Sequence, residues 1–187
     1  MAPSSAQVAC AQNGVENERE ALRIRQHVYG MVVMMPATHL EPGAVDADSL
    51  PIVGVLDVGR YPTGIDALAV AVAADLTAAG FRSCADADTM RWKYQKLLLN
   101  LAAALHAVCG PEADDYPAEA AARGLLVDAL REEALECYRC AGISLPAADA
   151  VQECWGDAVP PKPIAGRPRV GVAEPGAGYW LGRERLH

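Results

Sequence analysis

Lys96 and Asn100 are four residues apart in an apolar, alanine-rich run that begins near Trp92. On a helix this spacing places two side chains on one face, about one turn apart. In one interpretation the lysine stem lies along the core and its ammonium stays in water. In the other, both groups face a cleft, where apolar neighbours make the ammonium a better acid and it can protonate a carbonyl oxygen.

The cysteines are the other candidates for chemistry. Cys137 and Cys140 have the C-x-x-C spacing of zinc and redox sites, but a tetrahedral zinc needs four ligands and only two are found. We therefore interpret them as two thiols on a helix face and predict no metal site. Without a secretory signal, we expect all six cysteines to be reduced thiols packed inside the protein.

Composition excludes several classes of partner. The chain has 187 residues, with 24 acidic and 16 basic side chains and a formal charge of −8. This balance argues against a nucleic-acid surface, which needs a basic patch. No Lys/Arg cluster lies beside an amphipathic helix, no apolar stretch is long enough to span a bilayer, and the first residues lack the features of a signal peptide. We predict a cytoplasmic protein with no membrane contact.

The first 85 residues alternate between strand and helix patterns. Apolar runs at 6–11, 28–35 and 52–56 predict strands, and the unbroken run at 28–35 is typical of a strand covered on both faces. Helices are predicted over 16–25 and over 65–79, the second ending at Gly80. This order predicts one half of an open α/β sheet.

From residue 86 the pattern is entirely helical. Helices are predicted from 86 to about 108, from Pro117 to Gly142, and over 147–155, whereas 161–187 is expected to be largely irregular. The predicted fold class is therefore α/β followed by all-α. Helical spacing predicts that the second of these helices buries one apolar face, made of Leu126, Ala129, Leu130, Ala134, Cys137 and Ala141.

Four segments in order resemble one family, the ketopantoate reductases (2-dehydropantoate 2-reductases). Residues 12–18, QNGVENE, are similar to its Q-N-G-x-x-x-E turn. Residues 35–38 together with 41–43 are similar to the segment that follows this turn in the family. Trp92 with Lys96-x-x-x-Asn100 is similar to the family's helical signature, and 163–169 resembles a later loop of some members. The resemblance runs from about residue 8 to about residue 170.

The resemblance implies a fold and an activity. The family reduces a 2-oxo acid with NADPH in a cleft between a Rossmann domain and a helical domain. It implies a partial nucleotide-binding domain at 1–85, a partial helical domain at 86–160 and a divergent tail at 161–187. It also implies that Lys96 is the catalytic general acid, Asn100 binds substrate and Asn13 binds cofactor near the nicotinamide.

Elementary chemistry is consistent with these roles. Hydride delivery to a ketone carbon leaves negative charge on its oxygen, which needs a proton and nearby donors. Asn13 follows a predicted strand, at the carboxyl end where open α/β sheets bind ligands. By itself, however, Asn13-Gly14 is also a common turn sequence.

The chain departs from the family in three places. No Gly-x-Gly-x-x-Gly follows a predicted strand, Ala103 or Ala104 occupies the place of a second asparagine, and the pattern is lost after Gly171. Glu174 lacks the context of the family's glutamate. We therefore expect a chain truncated at both ends, with an exposed sheet edge and little activity alone. Leucines left exposed would bring a second copy or a complementing fragment as partner.

The predicted function is NADPH-dependent reduction of a 2-oxo acid to a 2-hydroxy acid, with 2-dehydropantoate and pantothenate biosynthesis implied by the family. Two alternatives stay open. The alanines at 103 and 104 suit a relative that reduces a different oxo acid. A non-catalytic remnant that keeps only the helical half is the other.

Overall fold

The computed structural model of the chain describes seven stretches. They are residues 6–35, 37–38, 42, 46–47, 52–110, 116–155 and 184–185. Within them a three-stranded sheet with two helices is followed by three further helices. The predicted fold class, α/β followed by all-α, is confirmed. The loop resemblance at 163–169 and most of the predicted tail lie outside the described residues.

The main sheet is mixed. β1 (Gln7–Cys10) pairs in parallel with β2 (His27–Met34) through the crossover helix α1 (Asn17–Leu22). β3 (Ala37–Thr38) and β4 (Asp46–Ala47) pair with each other away from this sheet. The strand order places β1 at one edge of the sheet, where an exposed edge was expected.

The third strand of the main sheet, β5 (Val55–Arg60), pairs with β2 in the antiparallel direction. The predicted strand at 52–56 therefore lies three residues too early, because Ile52 is an exposed bend residue while Val55 to Val58 are buried.

β2 is covered on both faces, as its apolar run predicted. No residue of this strand is exposed. On one face Tyr29 and Met31 pack with residues of the helix that follows β5, and on the other Val32 and Met34 pack with Trp155. Burial on both faces explains why the strand reads as a continuous apolar run.

α2 (Ala67–Ala78) packs against β5. The carboxylate of Asp66 accepts a hydrogen bond from the Ala69 N–H at 3.0 Å, which satisfies one free donor of the first turn. The helix ends before Gly80, whose φ of 93° is a left-handed conformation that glycine adopts without strain. The helix predicted over 65–79 is confirmed with slightly shorter bounds.

Three helices complete the described fold: α3 (Thr89–Cys109), α4 (Pro117–Cys140) and α5 (Ala148–Trp155). α3 contacts β2, β5 and α4. Its start lies directly on β5, because a Cβ at Gly59 would come within 1.9 Å of the Asp86 carbonyl oxygen. Glycine at this position allows the helix to approach the sheet. A two-residue strand, β6 (Glu184–Arg185), pairs with β4.

The predicted apolar face of α4 is largely wrong. Leu126 and Cys137 are exposed, and the buried residues of this helix are Arg123, Val127 and Tyr138. The actual face is rotated toward α3, where the Tyr138 hydroxyl donates to the Tyr94 carbonyl oxygen. Helical spacing selected a coherent stripe, but it could not determine which stripe meets a neighbour.

The cysteines also differ from the prediction. All six are free thiols, but only Cys10 is fully buried; Cys84, Cys109, Cys137 and Cys140 are exposed, and Cys154 is partly buried. The expectation that the thiols pack inside the protein is wrong for these four. Cys109 is at the end of α3, Cys137 and Cys140 lie on α4, and Cys84 lies in the segment between α2 and α3.

Candidate functional site

Lys96 lies in the part of α3 that packs on the sheet, and its side chain is partly buried. Burial, and to a smaller extent the positive charge of Lys93, lower the pKa of its ammonium to about 8. An amine with a pKa near 8 exchanges its proton readily around neutral pH, which is the property a general acid needs.

Lys96 lines a small pocket between α3 and the sheet. The pocket is formed by the turn after β1, the middle of β2, and two lysines of α3. Its volume is about 10 Å³, room for about one water molecule. Sites for small organic ligands are usually some 300 Å³ or more. The pocket is therefore too small to enclose a small organic ligand. The lining residues are Gln12, Asn13, Gly14, Met31, Val32, Val33, Lys93 and Lys96.

Asn13 reaches this pocket from the turn that follows β1. The turn requires Gly14 in a left-handed conformation, with a φ of 88°. The backbone carbonyl of Asn13 accepts a hydrogen bond from the Asn17 side-chain amide at 3.3 Å, which connects the turn to the first residue of α1. Asn13 is exposed.

Asn100 is placed differently. It follows Lys96 by four residues on α3 and is partly buried, but it is not among the residues that line the pocket. The structure therefore brings two of the three residues singled out from the sequence, Lys96 and Asn13, to the same pocket. Asn100 lies one turn farther along the helix.

A buried ion pair beside the pocket has no counterpart in the sequence-based prediction. Lys93 contacts the carboxylate of Glu18 through its ammonium, and the two side chains are only 3% and 0% exposed. The sequence placed Glu18 in the family-like turn and Lys93 in the helical run without a role for either. The available signal was that Lys93 precedes Lys96 by three residues, the spacing of neighbours on one helix face.

Two tryptophans hold the start of α3. The indole N–H of Trp92 donates to the Asp86 carboxylate at 2.9 Å, and its ring lies 5.1 Å from that of Trp155. Trp155 is completely buried against β2 and β5. The family-like tryptophan therefore positions the helix that carries Lys96 rather than reaching the pocket.

The described residues do not fit the pyrophosphate of a dinucleotide. Such a group binds at a helix N-terminus reached through a glycine-rich turn. The turn that leads into α1 contains a single glycine, Gly14, and the first turn of that helix carries Glu18 and Glu20. α2 is capped by the carboxylate of Asp66. Negative side chains at both helix starts repel phosphate.

Two other kinds of site are also missing from the described ranges. No group of three or more histidine, cysteine or acidic residues there is placed to hold a metal ion. Among the described helices, none combines the length and the apolar character that crossing a membrane demands.

The fold of the chain is similar to that of two solved structures. No protein-family model matches the chain. The crystal structure of 2-dehydropantoate 2-reductase from Methylococcus capsulatus superposes with a TM-score of 0.64 at 20% identity, over 86% of this chain and 51% of that one. The enzyme from Porphyromonas gingivalis W83 gives 0.61 at 19% identity, over 81% and 52%. The chain thus spans about half the length of these structures, and the predicted resemblance is confirmed at the level of the fold.

Proposed function

We propose that this chain is a relative of the ketopantoate reductases and that its pocket forms the substrate side of a site for reducing a 2-oxo acid to a 2-hydroxy acid. The fold shared with two 2-dehydropantoate 2-reductases supports an oxidoreductase of this kind. The single observation that carries the proposal is that the amine of Lys96, with its lowered pKa, lines the same pocket as Asn13.

The proposed chemistry assigns the proton to this chain. Reduction of a ketone adds a hydride to the carbonyl carbon and a proton to the oxygen. Lys96 is the group that donates this proton, because its burial makes loss of the proton easier than from an exposed lysine. The side-chain amide of Asn100, one turn farther along α3, is the proposed group that orients the oxo acid, and Asn13 is the proposed contact of the cofactor.

NADPH is the proposed source of the hydride. Its nicotinamide would lie at the carboxyl end of β1, beside Asn13, where open sheets bind ligands. The proposal assigns no described residue to the cofactor's pyrophosphate. The proposed substrate is 2-dehydropantoate, after the names of the two similar structures, and the proposed location is the cytoplasm.

The test measures NADPH oxidation by the purified chain in the presence of 2-dehydropantoate and a panel of other 2-oxo acids. The wild-type chain is compared with Lys96→Met, which keeps the length of the side chain without the amine. We expect the substitution to lower turnover by about 100-fold or more, since a positioned general acid contributes on the order of 10²–10⁴ in rate.

Arg131→Met is the matched control. It removes a cation from α4 that pairs with Asp128 at 4.0 Å and does not line the pocket, and it should leave turnover unchanged. A loss of less than tenfold in Lys96→Met would remove Lys96 from the role of acid. A preference for another oxo acid over 2-dehydropantoate would replace the proposed substrate while keeping the reaction.

The second candidate is a non-catalytic remnant, and the small volume of the pocket favours it. This candidate predicts no rise in melting temperature with NADPH up to millimolar concentration, whereas specific binding stabilises the folded chain. Its proposed partner is a second copy of the chain or a complementing fragment, because α4 carries exposed leucines.

A further inference from the structure

The pair formed by Glu18 and Lys93 joins two elements that are far apart in the chain. Glu18 belongs to α1 and Lys93 to α3, 75 residues later. Both side chains are almost fully removed from water. A buried pair is costly to desolvate, and an apolar replacement of the same volume is often as stable. Stability alone therefore gives a weak reason for this arrangement.

Lys93 also contacts the turn that carries Asn13. Its ammonium donates a second hydrogen bond, at 3.1 Å, to the backbone carbonyl of Gln12. One lysine thus holds the residue before Asn13 and the carboxylate of Glu18 together. Three residues farther along α3, Lys96 lines the same pocket.

The sheet leaves room for this contact at Gly30 of β2. A Cβ at this position would lie 3.3 Å from the sulfur of Met90 and 3.5 Å from Oε1 of Glu18. The first distance is closer than Cβ atoms normally come, so Met90 would have to move for any larger residue. A glycine within an otherwise apolar strand is thereby explained, because it lets α1 and α3 meet across β2.

We propose that the Glu18–Lys93 pair is a positioning element of the candidate site, which fixes the turn carrying Asn13 to the helix carrying Lys96. The inference rests on the proposed function, because it assigns the pair to that site. Neither residue is proposed to touch the substrate's reacting atoms.

The charges around Lys96 make the effect of the pair measurable. On α3 itself, Lys93 is the group that lowers the pKa of Lys96 by charge. The turn after β1 and the middle of β2 face Lys96 in the pocket with uncharged residues. α4 packs on α3 with Arg123 and Tyr138 as its buried titratable groups. Removal of the Lys93 charge should therefore raise the pKa of Lys96.

The sequence makes a direct experiment possible, because it contains three lysines, Lys93, Lys96 and Lys162. Lysine labelled with ¹³C at Cε gives three NMR signals, which Lys→Arg variants assign. The full chain is titrated as wild type, as Lys93→Met and as the double variant Glu18→Gln/Lys93→Met. Lys93→Met leaves a buried carboxylate without its partner, so we expect its melting temperature to fall by about 10 °C. The double variant leaves no lone charge and should recover most of that loss.

The distinguishing readout is the Lys96 signal. Loss of the Lys93 charge should raise the Lys96 pKa in Lys93→Met, and the Lys96 chemical shift, compared with the amine fully protonated, reports on its position. We expect this shift to stay displaced in the double variant although stability has returned. Leu98→Ala, a cavity at another buried residue of α3, is the matched control that lowers stability and leaves the Lys96 pKa unchanged. If Lys93→Met does not fold, the Lys96 signal of the double variant is compared directly with that of the wild type, and this comparison tests the proposal.

A double variant in which the protonated Lys96 has its wild-type chemical shift would overturn the proposal, because the pair would then be a structural contact only. The titration requires neither substrate nor cofactor. An altered Lys96 signal in a chain that reduces no oxo acid therefore supports the positioning role and contradicts the proposed function, so the two failures are distinguishable.

Discussion

The first part of α3 and the whole of α4 show two outcomes for similar helical sequence. From Thr89 to Ala102 no residue of α3 is exposed, because the sheet lies under this segment and Trp155 covers its side. Most residues of α4 are exposed instead. Leu125 is 72% and Leu126 53% exposed, although both are as apolar as the leucines of α3.

Apolar spacing therefore predicts the presence of a helix more reliably than it predicts which face of that helix is buried. Both helices were expected from their sequences and both are present. Burial depends on what lies opposite. Of these two helices, α3 packs on β2 and β5, whereas α4 packs on α3. The candidate site lies on the helix that is packed, where side chains have fixed neighbours.

Trp155→Ala should have the largest effect of the substitutions that test this comparison. It removes a completely buried ring that packs against Val32, Val55 and Trp92. Truncation of such a ring costs about 3–5 kcal/mol. Chemical denaturation followed by circular dichroism measures the loss. A change below about 1 kcal/mol would show that α5 does not hold the start of α3 in solution.

Val127→Ala should have an intermediate effect. Val127 is one of the few buried residues of α4, and its side chain is small. The lost methyl groups predict a decrease of about 1–2 kcal/mol in the free energy of unfolding. The same denaturation experiment applies, with exposed Ala129→Gly as the control for helix propensity, expected to cost about 1 kcal/mol. An effect as large as that of Trp155→Ala would mean that α4 is as well packed as α3.

Leu125→Gln should have the smallest effect on stability, within about 0.5 kcal/mol, because its side chain is already in water. It should instead change association. Sedimentation velocity at increasing concentration is expected to show self-association of the wild-type chain that weakens in the variant, since exposed leucines favour contact between molecules. Equal sedimentation of both chains as monomers at every concentration would contradict a partner at this surface.

Much of the architecture could be predicted from the sequence. The buried strand at 28–35 and the capped helix near 65–79 correspond closely to β2 and α2, since periodicity and a terminal glycine are local signals. The strand at 52–56 was placed too early, because two apolar residues before Gly54 resemble the buried ones after it. The predicted buried face of α4 was wrong for a similar reason. More than one side of this helix carries apolar residues, and the sequence does not show which side packs on a neighbour.

The candidate site was predictable only in part. Lys96 and Asn13 were found from their types and from family-like motifs, and the structure places both at one pocket. Their roles remain predictions, as does that of Asn100. Glu18 and Lys93 could not be paired from the sequence, because 75 residues separate them and each resembles an ordinary surface charge.

Local sequence was sufficient to predict β2 and the five helices, and to identify the residues that carry a titratable proton or an amide, because these are properties of single side chains and their immediate neighbours. The tertiary structure alone decided which charges lost contact with water. Folding buries Glu18 of α1 against Lys93 of α3 beside Gly30, and the packing of α3 on β2 gives Lys96 a lowered pKa. Desolvation depends on all the atoms around a group, and folding brings those atoms together from distant parts of the chain.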